Sequence, residues 1–305
     1  MKFSIIVPAF GVEKYLDKCL KSIFNQSYKD FEVIVNLDGS LDNGYEIASK
    51  YDVIIINDKN KGLSMARNDS IKLVSGDYII FLDGDDYIDK DLLKNINKNL
   101  NEKAVDIVRF QIREVFEDGK SKDYKENGFI NKEPVDAFNE ISTYHFVENA
   151  WAYAFNSDFY RRNKFVFMKG KYHEDFGLIP YVLMKSGSTS SISYVGYNYL
   201  QRTGSIMSNK NYEKTLNMVD DFYVQFKSLR DKKFGKDIDR RVYDSFISNS
   251  VILKITELKY EDYKKYFKKL KEENVFDLLL DDTRIRKIKK KMLKVSPRLY
   301  YKFIK

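Results

Sequence analysis

The 305-residue sequence predicts an α/β fold with a mostly parallel central sheet, followed by a separate helical region. Through the first hundred residues, short apolar and β-branched runs alternate with segments in which apolar residues recur at helical spacing. This alternation is typical of βαβ units, whose strands run parallel. Beyond residue 208 the pattern is almost purely helical and rich in Lys, Tyr and Phe.

Each predicted element follows from the spacing of its apolar residues. In the first part, strands are predicted over residues 3–8, 31–37, 53–57 and 78–82, and helices over residues 12–26, 63–74 and 89–100. From residue 105 onward, strands are predicted over residues 105–116, 151–155 and 191–200, a polar loop or hairpin over residues 117–132, and a helix over residues 174–185. The sequence therefore divides into residues 1–104, 105–208 and 209–305.

Composition limits the class of protein. Hydrophobic residues make up 43% of the chain and aromatic residues 15%, which is typical of a globular protein and excludes a disordered one. The single cysteine, Cys19, excludes an intramolecular disulfide and is expected to be a small core residue. Because no signal peptide or membrane-spanning segment is predicted, we expect a cytoplasmic protein. The formal net charge of +8 favours a polyanionic partner.

Three carboxylates follow the apolar strand that is predicted to end at residue 82. They belong to Asp83, Asp85 and Asp86, and Gly84 between them lets a ligand approach the backbone. Their mutual repulsion favours a divalent cation, since Mg²⁺ and Mn²⁺ take carboxylate oxygens together with substrate phosphates. The alternative is an acidic turn that caps the following helix.

Ligands of open parallel sheets bind beyond the carboxyl ends of the strands. This rule brings the loops at residues 8–10, 38–40 and 83–85 to one edge of the sheet. The segments that form them, IIVPAFGVEKYL, VIVNLDGS and GDYIIFLDGDDYI, together with NKGLSMARNDSI between the second and third, resemble an inverting family 2 glycosyltransferase of the bacterial surface-polysaccharide type. The resemblance implies a GT-A fold, with a Rossmann-like nucleotide-sugar half over residues 1–104 and an acceptor half over residues 105–208.

The resemblance also implies how the donor is bound. The residues that would border the nucleoside are Pro8, Ala9, Phe10 and Glu13. Asp38 would accept a hydrogen bond from the base, which suits the N3–H of uracil and hence a UDP-linked sugar. Leu37 replaces a second acid that the family usually has before this position.

The acids and arginines would serve the diphosphate. Asp85 would be the principal ligand of Mn²⁺ or Mg²⁺, and Asp83 would face the ribose or the metal. Arg67 would lie against the diphosphate or brace the acids, since a guanidinium can do either bidentately. Arg202 is the second candidate for a diphosphate contact. Asp86 could contact the residues that bind the donor rather than the donor itself.

The family places its catalytic base on the Asp of an ED pair, here Glu174-Asp175. An inverting transfer needs one base to take the proton of the acceptor hydroxyl, and a partly buried carboxylate beside another acid has a raised pKa that suits this role. The alternative is an acidic helix N-terminus, which is compatible with the base role. Glu174 is a candidate acceptor contact. Trp151 either stacks on an acceptor sugar or fills the core.

Residues 284–305 contain ten Lys or Arg and no acid, with apolar and aromatic residues at helical spacing. A basic amphipathic segment predicts binding to an anionic membrane surface, here the inner face of the cell membrane. The alternatives are a solvated face of the helical region and a homodimer contact. No nucleic-acid-binding motif is present, so no nucleic-acid partner is expected.

We therefore expect a metal-dependent glycosyltransferase that moves a sugar from a nucleotide-diphosphate sugar to a saccharide or lipid-linked acceptor. A non-catalytic nucleotide-sugar-binding module is the first alternative. A nucleotidyltransferase is the second, although PAFGVEKY is not the Gly-rich phosphate loop that such an enzyme would carry.

Overall fold

One mixed sheet runs through the first two hundred residues. The computed structural model describes residues 1–202, 211–236 and 238–304, and within them ten strands form this sheet. The strands are β1 (Phe3–Pro8), β2 (Phe31–Asn36), β3 (Ile54–Ile56), β4 (Tyr78–Phe81), β5 (Tyr87–Ile88), β6 (Ile107–Phe116), β7 (Ser121–Tyr124), β8 (Phe129–Lys132), β9 (Tyr153–Asn156) and β10 (Thr189–Gln201). Their order is β3-β2-β1-β4-β9-β6-β10-β5, with β7 paired to β6 and β8 paired to β10.

Helices cover the sheet and form the region beyond it. They are α1 (Glu13–Phe24), α2 (Gly44–Ala48), α3 (Leu63–Ile71), α4 (Leu92–Glu102), α5 (Pro134–Ile141), α6 (Ser157–Arg162), α7 (Ile179–Lys185), α8 (Tyr212–Arg230), α9 (Arg241–Ile255), α10 (Tyr260–Glu272), α11 (Arg284–Val295) and α12 (Pro297–Ile304). Two 3₁₀ turns span Ala150–Ala152 and Val275–Leu278. Within the described residues, no helix combines the length and apolarity that spanning a bilayer requires.

The register of the parallel strands aligns three loops. All six residues of β1 are buried, as expected for a central parallel strand with both faces covered. In the β1–β2 ladder Phe3 pairs with Phe31 and Pro8 with Asn36, and β4 pairs with the other edge of β1. The carboxyl ends of β1, β2 and β4 therefore lie at one edge of the sheet, as the sequence predicts.

The second part of the sheet departs from the prediction in two details. Residues 117–132 do not form a hairpin of their own, because β7 pairs with β6 across the turn at Gly119, while β8 pairs with β10. The short strand β5, which the sequence analysis missed, pairs with β10 immediately after the three carboxylates. Strand β9 runs antiparallel between β4 and β6 and thereby joins the two halves into one sheet.

The helix predicted over residues 174–185 is shorter than expected. It begins at Ile179, and Pro180 occupies its first turn. Proline lacks an N–H and fixes φ, so it is tolerated at the start of a helix but not in its interior. Glu174 and Asp175 consequently lie in a turn before α7, where the amide of Ile179 donates to the carbonyl of Asp175 at 2.8 Å.

The helical region packs against this turn. Phe222 of α8 stacks on Phe176 with ring centroids 3.8 Å apart, and Gln225 donates to the carbonyl of Tyr172 at 2.7 Å. Helix α8 therefore supports the segment that carries Asp175. The predicted boundary between residues 208 and 209 lies outside the described residues and stays a prediction.

Candidate active site

The site is built on the acid loop, residues 83–86, which follows β4. Its glycine is required by a close approach to the loop after β1: the amide of Gly84 donates to the carbonyl of Pro8 at 3.1 Å. A Cβ at this position would lie 3.0 Å from that oxygen and 3.0 Å from the Cβ of Ala9. A side chain at residue 84 would therefore be overpacked against the loop after β1.

Arg67 connects the acid loop to the ED pair. Its Nη2 donates to Asp83 Oδ1 at 2.8 Å, while its Nη1 donates to Glu174 Oε1 at 2.8 Å and to Asp175 Oδ1 at 2.6 Å. The side chain is only 1% exposed, and the rings of Phe81 and Phe167 lie within 5.7 Å of its guanidinium carbon. The sequence allows Arg67 to contact either the diphosphate or the acids. In this structure it forms salt bridges with the acids.

The ED pair is buried, and burial is the main influence on the pKa of both carboxyl groups. Burial raises the pKa of Asp175, and the negative charges of Glu174 and Asp83 raise it further, while Arg67 opposes them. Burial likewise raises the pKa of Glu174. The second oxygen of Asp175 accepts a hydrogen bond from the amide of Ala150 at 3.1 Å, which fixes the orientation of the carboxyl group.

Arg202 contacts the other end of the acid loop. Its Nε donates to Asp85 Oδ2 at 2.7 Å, and its guanidinium carbon lies 5.1 Å from the centroid of the Tyr15 ring. Burial raises the pKa of Asp85 and the nearby charge of Asp83 adds to the effect, whereas Arg202 lowers it. Burial and the charge of Asp83 therefore oppose the effect of Arg202 on the Asp85 carboxyl group.

Asp86 ties the acid loop to β10. It is buried, and its two oxygens accept hydrogen bonds from the Tyr197 hydroxyl at 2.6 Å and the Leu200 amide at 2.7 Å. The Tyr197 hydroxyl also accepts from the amide of Asp83 at 3.3 Å. The sequence analysis missed Tyr197, since nothing in the alternating pattern of β10 distinguishes it from the neighbouring tyrosines.

The carboxylates predicted to border the nucleoside hold loops together in this structure. Asp38 is buried with φ +47°, and its two oxygens accept hydrogen bonds from the amides of Lys61 and Gly62, at 2.7 and 2.9 Å, just before α3. Glu13 Oε2 accepts from both the amide and the side chain of Asn43. Their contacts with a base remain predictions.

The other two residues of the loop after β1 differ in exposure. Ala9 is buried, whereas Phe10 is 55% exposed at the carboxyl edge of the sheet.

Trp151 is 3% exposed and stacks on Tyr197 and Tyr199, with ring centroids 4.6 and 5.2 Å away. In this structure Trp151 fills an aromatic cluster, and a stacking contact with an acceptor sugar stays a prediction.

The cysteine behaves as expected for a core residue. Cys19 is fully buried in α1, with its Sγ 3.8 Å from the carbonyl oxygen of Asp83. Burial raises the pKa of its thiol well above the usual value, and the three carboxylates of the acid loop add to this effect. A neutral thiol in this environment is not a nucleophile.

The donor set at the acid loop suits Mn²⁺ or Mg²⁺. No cluster of three or more His, Cys, Asp or Glu that could hold a metal occurs within the described ranges. Mg²⁺ is usually held by one or two carboxylates plus substrate phosphates and water, so such a cluster is not needed. Asp83 and Asp85 are partly exposed, and each forms its arginine contact through one oxygen, which leaves the second oxygen outside that salt bridge.

Comparison with known proteins identifies the family. The family model described as Glycosyl transferase family 2 matches residues 4–168, just over half of the chain. The chain belongs to glycosyl transferase family 2. The matched residues include all of β1 except Phe3, α3 with Arg67, and the acid loop, whereas Asp175 and Arg202 lie beyond them.

Curated relatives of this family 2 glycosyltransferase match over part of their length. Glycosyltransferase GlyA of Streptococcus pneumoniae is 40% identical over 111 residues, which cover 35% of this chain and 16% of that protein. The uncharacterized glycosyltransferase EpsJ of Bacillus subtilis is 30% identical over 173 residues, which cover 54% of this chain and 50% of EpsJ. The chain thus matches half or less of the length of these relatives.

Solved structures show the same fold. Residues 1–349 of Staphylococcus aureus TarS in complex with UDP-GlcNAc superpose with a TM-score of 0.75 at 19% identity, covering 99% of this chain and 90% of that one. The mannosyltransferase PcManGT of Pyrobaculum calidifontis in complex with GDP-Man and Mn²⁺ gives a TM-score of 0.57 at 14% identity, covering 99% and 85% of the two chains. The expected GT-A fold is confirmed.

Proposed function

We propose that the chain is an inverting glycosyltransferase that moves a sugar from a UDP-linked donor to a hydroxyl of a glycan or lipid-linked saccharide in surface polysaccharide synthesis. Membership of glycosyl transferase family 2 supports the reaction class. The UDP-GlcNAc complex of a protein with the same fold supports the donor. TarS, named as a poly(ribitol-phosphate) β-N-acetylglucosaminyltransferase and 33% identical over 123 residues, supports the acceptor class.

The observation that carries the proposal is the Arg67 cluster, in which one buried guanidinium joins Asp83 to Glu174 and Asp175. It holds a carboxyl group with a raised pKa next to the loop that would receive the donor diphosphate. A general base works best when its pKa lies near the working pH, and burial moves Asp175 in that direction. Asp175 would take the proton of the acceptor hydroxyl as the new glycosidic bond forms.

The remaining residues would bind the donor. Asp85 and Asp83 would hold Mn²⁺ or Mg²⁺, which when bound neutralises charge on the leaving diphosphate. The salt bridge of Arg202 to Asp85 uses Nε, and the Nη groups of a guanidinium are further donors for diphosphate oxygens. Pro8 and Ala9 lie beside Gly84 at the carboxyl edge of the sheet and Phe10 follows them in the chain, and the nucleoside would bind there.

The test is Asp175→Asn, assayed for sugar transfer from UDP-sugars and for UDP binding. We expect transfer to fall by about 10²- to 10⁴-fold, the usual contribution of a general base, while UDP binding is retained. Glu174→Gln is the matched control, because it removes the neighbouring charge and leaves the proposed base.

Two results would contradict the proposal. If Glu174→Gln abolished transfer and Asp175→Asn did not, the base would be Glu174. If the wild-type protein bound UDP-sugars and neither transferred nor hydrolysed any of them, it would be a non-catalytic binding module.

A further inference from the structure

Helix α11 has two faces with different environments. On one face, Leu293 is fully buried, and Lys290 Nζ donates to the backbone oxygen of Leu279 at 2.8 Å. On the opposite face, Ile285, Ile288 and Val295 are 79%, 51% and 70% exposed. These three residues lie three and seven positions apart, a spacing that puts them on one side of a helix. The most apolar side of α11 therefore points away from the protein.

Helix α12 repeats this arrangement. Tyr300 is buried, and the Tyr301 hydroxyl donates to the carbonyl of Leu258 at 2.8 Å, so these two side chains anchor the helix. Leu299 and Phe303, in contrast, are 51% and 72% exposed. Exposed apolar residues that occur singly need no explanation, but a set on two consecutive helices is typical of an interaction surface.

The charges of α11 also differ between the two faces. Three basic residues are paired with acids of the preceding segment: Arg286 with Asp282, Lys290 with Asp281, and Lys294 with Asp277. Arg284, Lys287 and Lys291, which border the apolar side, form no salt bridge with any part of the chain that the structure describes. Unpaired positive charge therefore lies beside exposed apolar side chains.

We propose that α11 and α12 bind the surface of an anionic membrane through these residues. A helix whose apolar side is flanked by lysine and arginine lies in the interface, with the apolar side chains among the acyl chains and the cations at the headgroups. A second copy of this chain fits less well, because it would bring two sets of unpaired positive charges together. A nucleic acid would pair with the cations but would leave the isoleucines exposed.

Charge variants of the full chain test the electrostatic half of the proposal. Binding is measured by co-sedimentation with vesicles of phosphatidylcholine, alone or mixed with phosphatidylglycerol. We expect the triple variant Arg284→Gln, Lys287→Gln, Lys291→Gln to bind the mixed vesicles about 100-fold more weakly. Each basic residue near an anionic surface contributes about 1 kcal/mol, and about 1.4 kcal/mol is a factor of ten.

The matched control removes the same charge from another exposed helical surface. The variant Lys94→Gln, Lys98→Gln, Lys103→Gln changes lysines in and beside α4, all of which are exposed. It is expected to bind the mixed vesicles like the wild type. Equal weakening by both triple variants would mean that net charge, and not this surface, drives binding, and would overturn the proposal.

Serine substitutions test the apolar half. In the variant Ile285→Ser, Ile288→Ser, the binding that remains at high salt is expected to weaken by at least about 100-fold, since burying each isoleucine side chain is worth at least about 1.5 kcal/mol. Ile130→Ser, Val166→Ser is the control, because those side chains are also exposed but lie elsewhere. All variants should keep the wild-type unfolding midpoint and their transfer to a short soluble acceptor.

Two further outcomes would overturn the proposal. One is a wild-type protein that does not distinguish anionic from neutral vesicles. The other is a wild-type dimer that Ile285→Ser, Ile288→Ser converts to a monomer, which would make this surface a contact between copies of the chain.

Discussion

Replacing Arg67 with methionine removes one positive charge from between three carboxylates. The guanidinium contacts Asp83, Glu174 and Asp175 at 2.6 to 2.8 Å and is itself only 1% exposed. Breaking a buried ion pair by removing one partner costs about 3–5 kcal/mol. Methionine can still pack against Phe81 and Phe167, so the loss should reflect charge more than cavity formation.

The pH dependence of this loss is the sharper part of the prediction. In the wild type, burial raises the pKa of Asp175 and Glu174 above the values in the unfolded chain. The folded state then holds protons more tightly than the unfolded state, and the free energy of unfolding falls as pH rises. Without Arg67 both pKa values rise further. The destabilisation of Arg67→Met should therefore be smallest near about pH 5 and should increase continuously as pH rises through about pH 8.

Urea unfolding at several pH values measures the effect, because the free energy of unfolding is obtained at each pH by linear extrapolation. Arg241→Met is the control: its partner Asp239 is nearby in sequence and both side chains are largely exposed. We expect its unfolding curve to match the wild type at every pH. A loss for Arg67→Met below about 1 kcal/mol, or one that does not change with pH, would refute the view that Arg67 compensates buried carboxylates.

Three further predictions concern the acid loop. UDP should raise the melting temperature of the wild type only when Mn²⁺ or Mg²⁺ is present, and Asp85→Asn should remove this metal-dependent increase. Equal stabilisation by UDP in excess chelator would contradict a role for the metal in donor binding. Gly84→Ala should lower the free energy of unfolding by about 1–3 kcal/mol through overpacking, as measured by urea unfolding. Gly235→Ala is the control and should be neutral, because the nearest atom to its new Cβ would be 3.7 Å away. Tyr197→Phe should cost about 1–3 kcal/mol in the same assay, because a buried oxygen of Asp86 loses its partner; an unchanged midpoint would mean that water replaces the hydroxyl.

The sequence predicts well what depends on local pattern. The buried strands β1, β2 and β4 are short apolar runs, and the parallel ladder brings the loops at Pro8 and Gly84 together as expected. Pro180 sets the start of α7, because proline is tolerated in the first turn of a helix but not in its interior. The apolar spacing around it extends further toward the N-terminus, and so it predicts a longer helix than the one that forms. Strand β5 is two residues long and has no pattern of its own.

The contacts across the site could not be read from the sequence. Arg67 and Asp175 are 108 positions apart, and their 2.6 Å contact depends on how α3, β9 and α8 pack. Asp38 has the residue type expected for base recognition, but the backbone amides of Lys61 and Gly62 occupy its oxygens. A carboxylate in a motif has several chemically suitable partners, and only the tertiary structure selects among them.

The buried thiol beneath the acid loop offers a native reporter of how often this site opens. Cys19 is the chain's only cysteine, so alkylation of the unmodified protein reports on one position. Cys19 is fully buried and its Sγ lies 3.8 Å from the carbonyl oxygen of Asp83, so a reagent can reach it only after a local opening around α1 or global unfolding. Comparing the alkylation rate with the global unfolding rate, with and without UDP and Mn²⁺, would give the free energy of this local opening and its change on donor binding.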